Sequence, residues 1–514
     1  MKILYISFLS VCVGILFTYC HSPQKEIINK TIKPNIIYIL ADDLGYGELG
    51  CYGQTIIETP HIDALAANGM TFTQHYSGAP VCAPARCILL TGQHAGHAYV
   101  RGNHEWKERG DVWDYQSMLD NPKLEGQWPI PDSIYTLGEM LQDIGYKTGM
   151  VGKWGLGAPE TEGVPNKQGF DFFYGYNCQR IAHTLYPTHL WKNEQRDMLN
   201  NKVVPPHTTF TEGADINDPK SYEDFSLEDY APTKMHDEAI SFLKEQSDEP
   251  FFLYYASPIP HVPLQAPQKW VDHYKKKLGK EEPYTDGNYF PNQTPRATYA
   301  AMISYLDEQV GDLVKTLKEI GQYENTIIMF SSDNGPTYAG GADTEYFKSA
   351  APFETYGPKI KGSTHEGGIR VPMIASWPGH IEAGSSTDHQ SAFYDVMVTV
   401  AELSDTSFEQ TDGISFLPTL LNGDQEKHEF LYWEFPAYGG QQAVRMGQWK
   451  GIRKDILKEQ NTKIELYNLL DDLQEKNNVA DNNPNIVQKI ERIMEREHES
   501  SAIERFRMEA IGDD

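Results

Sequence analysis

The sequence predicts an α/β fold: a large mixed, mostly parallel sheet covered by helices on both faces, with a small C-terminal α+β domain built on an antiparallel sheet. Three observations predict it. Short continuous apolar runs recur along the chain, as strands buried on both faces require. Helical patterns separate them, and strands alternating with helices favour parallel pairing. Near residue 424 the character changes to closely spaced strand-like runs.

The first buried run is Asn35-Ile36-Ile37-Tyr38-Ile39-Leu40. Similar runs stand at Gly149-Met150-Val151, Phe251-Phe252-Leu253-Tyr254-Tyr255 and Thr326-Ile327-Ile328-Met329-Phe330. Between them, 136–144 reads as a helix closed by Gly145. Leu306, Val310, Leu313, Val314 and Leu317 share one face of another, which Gly321 stops. Over 158–237 periodicity fades into Pro-, Asn-, Asp- and Tyr-rich sequence, read as functional loop that walls a cleft with Tyr186 and Trp191. Strand-like runs follow at 430–435, 449–452 and 465–469, then a charged helix over about 486–505. The chain thus divides into a leader (1–20), a linker (21–32), a main domain (33–424) and a small C-terminal domain (425–514).

A chain of 514 residues with 40% hydrophobic and 23% charged residues suits one large folded domain plus a small one. Its 44 basic against 72 acidic residues give a net charge of −28, which excludes a nucleic-acid partner. An anionic ligand must be met by a few focused cations. Six cysteines in this length make no disulfide framework. Lys2 precedes an apolar run over 3–17, too short for a membrane span but right for a signal sequence. The run closes near Cys20, which resembles a bacterial lipoprotein signal whose cysteine is lipidated. Tyr19 is bulkier than the small residue usual before it, so plain secretion and an uncleaved anchor stay open. All three place the protein outside the cytoplasm, with a membrane met only through that terminus.

Two clusters of oxygen ligands close predicted strands: Ala41-Asp42-Asp43-Leu44-Gly45 and Ser331-Ser332-Asp333-Asn334-Gly335. Adjacent carboxylates repel unless a cation or donors neutralise them. Each cluster alone reads more readily as a surface turn. Together, past the carboxyl ends of two strands of one sheet, they suit one hard cation, calcium or else magnesium. A third cluster is Cys82-Ala83-Pro84-Ala85-Arg86-Cys87, followed by Leu90-Thr91-Gly92. Two cysteines five apart could be a disulfide or a metal pair, but neither accounts for Pro84 and Arg86.

Cys-x-Pro-x-Arg followed by Leu-Thr-Gly resembles the signature of type I sulfatases, whose cysteine is oxidised to formylglycine. The order of all three clusters resembles that family across nearly the whole chain beyond the leader. The resemblance implies an alkaline-phosphatase-like fold, hydrolysis of sulfate monoesters, and a formylglycine-generating or sulfatase-maturating enzyme acting on Cys82. It implies metal ligands at Asp42, Asp43, Asp333 and Asn334, plus an oxygen of residue 82. Gly152-Lys153-Trp154-Gly155-Leu156-Gly157 resembles the family's Gly-Lys-Trp-His-Leu-Gly block, making Lys153 a pocket cation. Pro260-His261-Val262-Pro263 resembles the segment of the pocket histidine. Lys361, in Lys361-Gly362-Ser363-Thr364-His365-Glu366, matches a second pocket lysine, with Lys359 as the register alternative.

By the same resemblance, the hydrated aldehyde of residue 82, held by Arg86 and the metal, would attack sulfur. The metal, Arg86, Lys153 and Lys361 would stabilise the sulfuryl oxygens, and His261 or Lys361 would protonate the departing alcohol. One departure stands out: the family's histidine is here Gly155. His183 or His97 would supply the missing imidazole, with His183 favoured because its loop could reach the pocket beside Gly155. Arg101, Asn103, His97 and Arg180 are expected to contact substrate. Export makes sulfated glycans the natural substrate class. A phosphoester or phosphonate-ester hydrolase on the same scaffold, and a catalytically dead glycan binder suggested by Gly155, are the rival readings.

Overall fold

The computed structural model describes residues 33–245 and 249–514, and sets the four apolar runs side by side in the middle of a ten-stranded sheet. From one edge to the other the strands are Ser385–Thr387, Met70–Phe72, Met373–Ser376, Thr326–Ser332, Asn35–Ala41, Phe251–Ala256, Lys147–Lys153, Phe172–Tyr176, His189–Lys192 and Gln195–Met198. The five from Thr326–Ser332 to Phe172–Tyr176 run parallel. Met373–Ser376 is antiparallel to both neighbours, and the last two strands form an antiparallel hairpin. The leader read at 1–20, Cys20 included, and the linker at 21–32 lie outside the described residues. No helix among the described residues is long and apolar enough to cross a membrane.

Alternation divides each central strand between two cores. Ile36, Tyr38 and Leu40 pack with Phe252, Tyr254, Ile327 and Met329, while Ile37 and Ile39 pack with Leu253, Tyr255, Ile328 and Phe330. Helices Cys82–Thr91 and Tyr394–Leu403 belong to the first core; Ala231–Glu245 and Pro295–Glu319 belong to the second. Burial on both faces is why these strands read as unbroken apolar runs. Thr136 caps helix Leu137–Asp143 reciprocally: its hydroxyl accepts from the Glu139 N–H, and the Glu139 carboxylate accepts from the Thr136 N–H. Gly145 and Gly321 take φ of +88° and +72° just past their helices.

The stretch 158–237 is loop only in part. It supplies three strands of the main sheet and the start of a helix. Phe172–Tyr176 escapes a search for aliphatic runs because it is built from aromatics and Gly175, where a Cβ would stand 1.8 Å from the Gly152 carbonyl oxygen. Near the C-terminus, Leu431–Phe435, Gln441–Met446, Trp449–Lys454 and Glu465–Asn468 form a separate antiparallel sheet. Its second strand opens on two glutamines, which hides it in the sequence. Both are buried and bonded, Gln441 to Gly362 O and Gln442 to the Tyr432 hydroxyl, each at 2.8 Å. The terminal helix is Pro484–Glu497, shorter than predicted, and buries Ile490, Ile493 and Met494 against this sheet. Trp433 anchors the sheet to the main core, donating to Ser77 O at 2.8 Å.

Candidate active site

Parallel register brings four strand ends level: Leu40 pairs with Ser331 and Ala256, and Gly152 pairs with Ala256. Asp42 and Asp43, Asp333 and Asn334, Lys153, and the loop to His261 therefore meet at one edge. Helix Cys82–Thr91 begins there. Val81 is extended, so Cys82 opens the helix, and Arg86 lies one turn on along the same face. Partial positive charge at that end favours an anion.

The Cys82 thiol donates to Asp42 Oδ1 at 3.2 Å, with Lys153 Nζ and Lys361 Nζ 3.7 and 4.0 Å from its sulfur. Lys153 donates to Asp42 Oδ2 and Lys361 to Asp43 Oδ2, both at 2.6 Å. Asn334 Nδ2 donates to Asp43 Oδ1 at 2.7 Å, and the Asp43 N–H donates to Asp333 Oδ1 at 3.0 Å. Arg86 donates to Asp333 Oδ2 at 3.0 Å and to the Lys153 carbonyl. All these side chains but Lys361 are wholly buried, and that one is 13% exposed.

Burial dominates the proton affinities. It pushes Asp333 up to about 7, helped by the charge of Asp42 and opposed by Arg86. Burial also raises Asp43 against the pull of Lys361. Asp42 resists burial because Lys153 and Arg86 hold it far below the ordinary carboxylate range. Burial, then Lys361 and Lys153, holds His261 neutral. Burial and Asp42 push the Cys82 thiol well up, so the unmodified sulfur is a poor nucleophile.

The donor set fits a hard divalent cation. Three carboxylates converge with Asn334, whose Oδ1 is buried and takes no hydrogen bond among the described residues. A buried amide oxygen left this way suits a cation ligand. Asp42, Asp43, Cys82 and His261 also offer ligand atoms within 4.8 Å of one another. Arg86, Lys153 and Lys361 already balance the three carboxylates. A divalent cation among the carboxylates would leave two excess positive charges, suited to an anionic ester.

The structure brings Cys82, Arg86, Lys153, His261, Lys361 and the four predicted metal ligands together. Lys359 is elsewhere, donating to the carbonyls of Gln474 and Glu475 at 3.1 and 2.5 Å. Cys87 is a free, buried core thiol, so it forms neither disulfide nor metal pair with Cys82. His261 lies with Nε2 3.6 Å from Asp43 Oδ2, and its ring stacks on His183 at 5.4 Å. Tyr289 and His207 complete this wall, with His183 Nδ1 3.1 Å from His207 Nε2.

The space beside Gly155 is not taken by His183. Gly155 has φ +79°, and Gln179 lies against it, its Nε2 donating to Asn103 Oδ1 at 3.3 Å. Asn103 Oδ1 also accepts from the Ala83 N–H at 2.8 Å, so Asn103 braces the first turn of the Cys82 helix. Arg180 lies over the exposed indole of Trp113, 4.7 Å from its centroid. Two expected substrate contacts are instead structural. Arg101 is buried and spends its guanidinium on Glu434 and on the carbonyls of Ala98, Gly96 and Glu499. His97 stacks on His94 and bonds Asp412 at 2.9 Å, so it supplies no imidazole at Gly155. Sequence reasoning missed Gln179, His207 and Tyr289. Only Gln179 had a signal, standing in the loop already marked by Arg180 and His183.

Comparison with known proteins follows the same geometry. Residues 34–406 match the family model described as sulfatase, and 360–501 match that of the N-sulphoglucosamine sulphohydrolase C-terminal region. Human arylsulfatase A is 31% identical over 437 residues, covering 81% of this chain and 74% of its own. An N-acetylgalactosamine-6-O-sulfatase of Bacteroides thetaiotaomicron is 28% identical, covering 93% and 96%. The crystal structure of Ps i-CgsB in complex with a neocarrahexaose superposes with a TM-score of 0.70 at 28% identity, over 90% of this chain and 92% of that one.

Proposed function

The chain belongs to the sulfatase family and is a sulfuric ester hydrolase, and from that premise we propose that it removes sulfate from sulfated glycans through an oxidised Cys82 beside a calcium ion. The observation that carries the reading is Cys82 at a helix N-terminus, 3.2 Å from Asp42 and within 4.0 Å of two lysines. Asp42, Asp43, Asp333 and Asn334 would hold the ion, which when bound supplies Lewis acidity toward a sulfuryl oxygen. The formylglycine form of residue 82, made by a maturating enzyme, supplies the oxygen nucleophile.

The chain's own residues do the rest. Arg86 fixes Asp333 and the end of the strand carrying Lys153, so the cluster is held before substrate arrives. Lys153 and Lys361 would turn their charge from the carboxylates to the anionic head of the ester. Lys361, or His261 once the anionic head of the ester restores its proton, would give the leaving oxygen its proton. His183, stacked on His261, would exclude water on that side. Asn103 and Arg180 remain substrate contacts at the rim. Residues 33–424 would carry the chemistry and 425–514 close its flank. The leader would send the protein to the periplasm or cell surface, anchored at a lipidated Cys20.

One second reading has an observation behind it. Gln179 replaces an imidazole at Gly155, which favours a binder that does not turn over. Assaying the purified, matured protein for sulfate and phosphate release from matched saccharide esters decides among these. Sulfate release lost in Cys82→Ala is the expected result. Faster phosphate release, or saccharide binding with no release despite modified Cys82, overturns the proposal.

A further inference from the structure

The hairpin between strands Leu431–Phe435 and Gln441–Met446 leans over the segment that carries Lys361. Gln441 ties it down: its Nε2 donates to Gly362 O at 2.8 Å, and its Oε1 accepts from the Thr364 N–H at 2.9 Å. The Gly362 N–H donates in turn to Pro80 O at 2.9 Å, two residues before Cys82. Tyr438, in this hairpin, stands at φ +50°, a conformation that a bulky residue adopts only when its surroundings impose it. Its ring lies directly on Gly362, where a Cβ would come within 2.3 Å of a ring carbon. The edge of Phe435 supports the ring, with centroids 5.6 Å apart at 90°.

Despite this support, 64% of Tyr438 is exposed. Tyr338, in the loop after Asn334, is 55% exposed. Burial raises the proton affinity of the Tyr438 phenol, opposed by the charge of Lys361. A strained, solvent-facing aromatic lying on the residue after Lys361 adds little to the core that would offset its cost. The cluster of lysines and carboxylates accounts for the sulfate group alone, so the sugar that bears it must lie over the mouth. A pyranose offers a face of C–H bonds with partial positive charge, and an aromatic ring offers a negative face to meet it.

Resting on the sulfated-glycan reading, we propose that Tyr438 is a specificity-determining residue whose free face stacks on the pyranose ring carrying the sulfate ester. The platform selects a sugar from any other sulfate monoester, while the buried cluster reads the anion.

Binding in the inert Cys82→Ala protein tests this apart from turnover. Calorimetry with a panel of sulfated galactose, N-acetylgalactosamine and glucosamine saccharides identifies the tightest ligand. Tyr438→Ala should weaken that ligand at least tenfold, Tyr438→Phe should stay within about twofold, and affinity for inorganic sulfate should not move. Unchanged saccharide affinity in Tyr438→Ala overturns the proposal. So does an equal loss for inorganic sulfate, which would make Tyr438 a support for Lys361, and so does failure of the whole panel to bind. Saccharide binding with the expected Tyr438 effect, but no sulfate release by the matured native protein, would sink the hydrolase reading and leave the platform standing.

Discussion

Gln179 lies across Gly155, close enough that a Cβ on residue 155 would stand 3.0 Å from Gln179 Cγ. The amide fills the space where the resemblance to sulfatases leads one to expect an imidazole, and it links through Asn103 to the Ala83 N–H. Gly155→His should therefore fail to improve the enzyme. The left-handed φ of +79° and the collision with Gln179 should cost about 2 kcal/mol of stability in urea unfolding. Gln179→Ala added to Gly155→His should recover part of that loss. Gln179→Ala alone should slow sulfate release roughly tenfold at unchanged melting temperature; a rate equal to wild type would remove Gln179 from the site.

Cys82→Ala should abolish sulfate release while the protein stays folded. The thiol is wholly buried but small, and its single strong polar partner is Asp42, so about 1 kcal/mol of stability is at stake. Residual turnover above a thousandth of wild type, a loss of about 4 kcal/mol in transition-state stabilisation, would refute the assigned nucleophile.

Lys361 and Lys359 should behave differently although they stand two residues apart. Lys361→Met removes the cation on Asp43 and near Cys82 and should lower kcat/KM at least a hundredfold. Lys359→Met loses only bonds to the Gln474 and Glu475 carbonyls and should change stability more than rate. Equal kinetic losses would mean that either lysine can reach the ester.

Much of this site is legible in the sequence because its parts are local. Asp42 and Asp43 are neighbours at the end of one apolar run, Asp333 and Asn334 end another, and Cys82 to Arg86 span one helical turn. Buried parallel strands announce themselves by unbroken hydrophobicity, and their carboxyl ends locate the chemistry. What stays hidden depends on distant partners. Arg101 turns inward because Glu434, 333 residues along the chain, waits for it. His97 is claimed by Asp412, and Tyr438 reaches Gly362 from a sheet whose second strand starts with polar residues. No periodicity encodes such pairings.

Removing divalent cations should inactivate the enzyme and also lower its melting temperature. Without an ion, three buried carboxylates crowd one another, as the rise of Asp333 to about 7 through burial and the charge of Asp42 indicates. Calcium should restore both properties better than zinc, because the predicted donors are oxygens. Calcium at a hundred times its dissociation constant should add about 2.7 kcal/mol. Asn334→Ala, deleting the unpaired buried oxygen, should raise the calcium needed for half-maximal stabilisation at least tenfold. A melting temperature indifferent to calcium in the native protein would contradict the site.

Stability should fall as pH rises from about 6 toward 9, on account of two histidines outside the catalytic cluster. His428 bonds Asp395 Oδ1 at 2.8 Å, and His498 bonds Glu434 Oε2 at 2.8 Å, each with 7% of its side chain exposed. Burial alone would lower both, but Asp395 raises His428, and Glu434 with Asp513 raises His498 against the nearby charge of Arg101. A histidine whose folded pKa is raised binds its proton more tightly in the folded state than in the unfolded one. Its stabilisation is therefore complete below the unfolded value of about 6.5 and disappears as pH climbs through the folded value. Glu475, pushed up to about 7 chiefly by burial, acts with the same sign over a lower window, from about 4.5 to 7. His428→Gln should cost about 2 kcal/mol at pH 6 and much less at pH 9, flattening the profile measured by urea unfolding. An unchanged slope in that variant would show that the Asp395 carboxylate does not hold the imidazole proton.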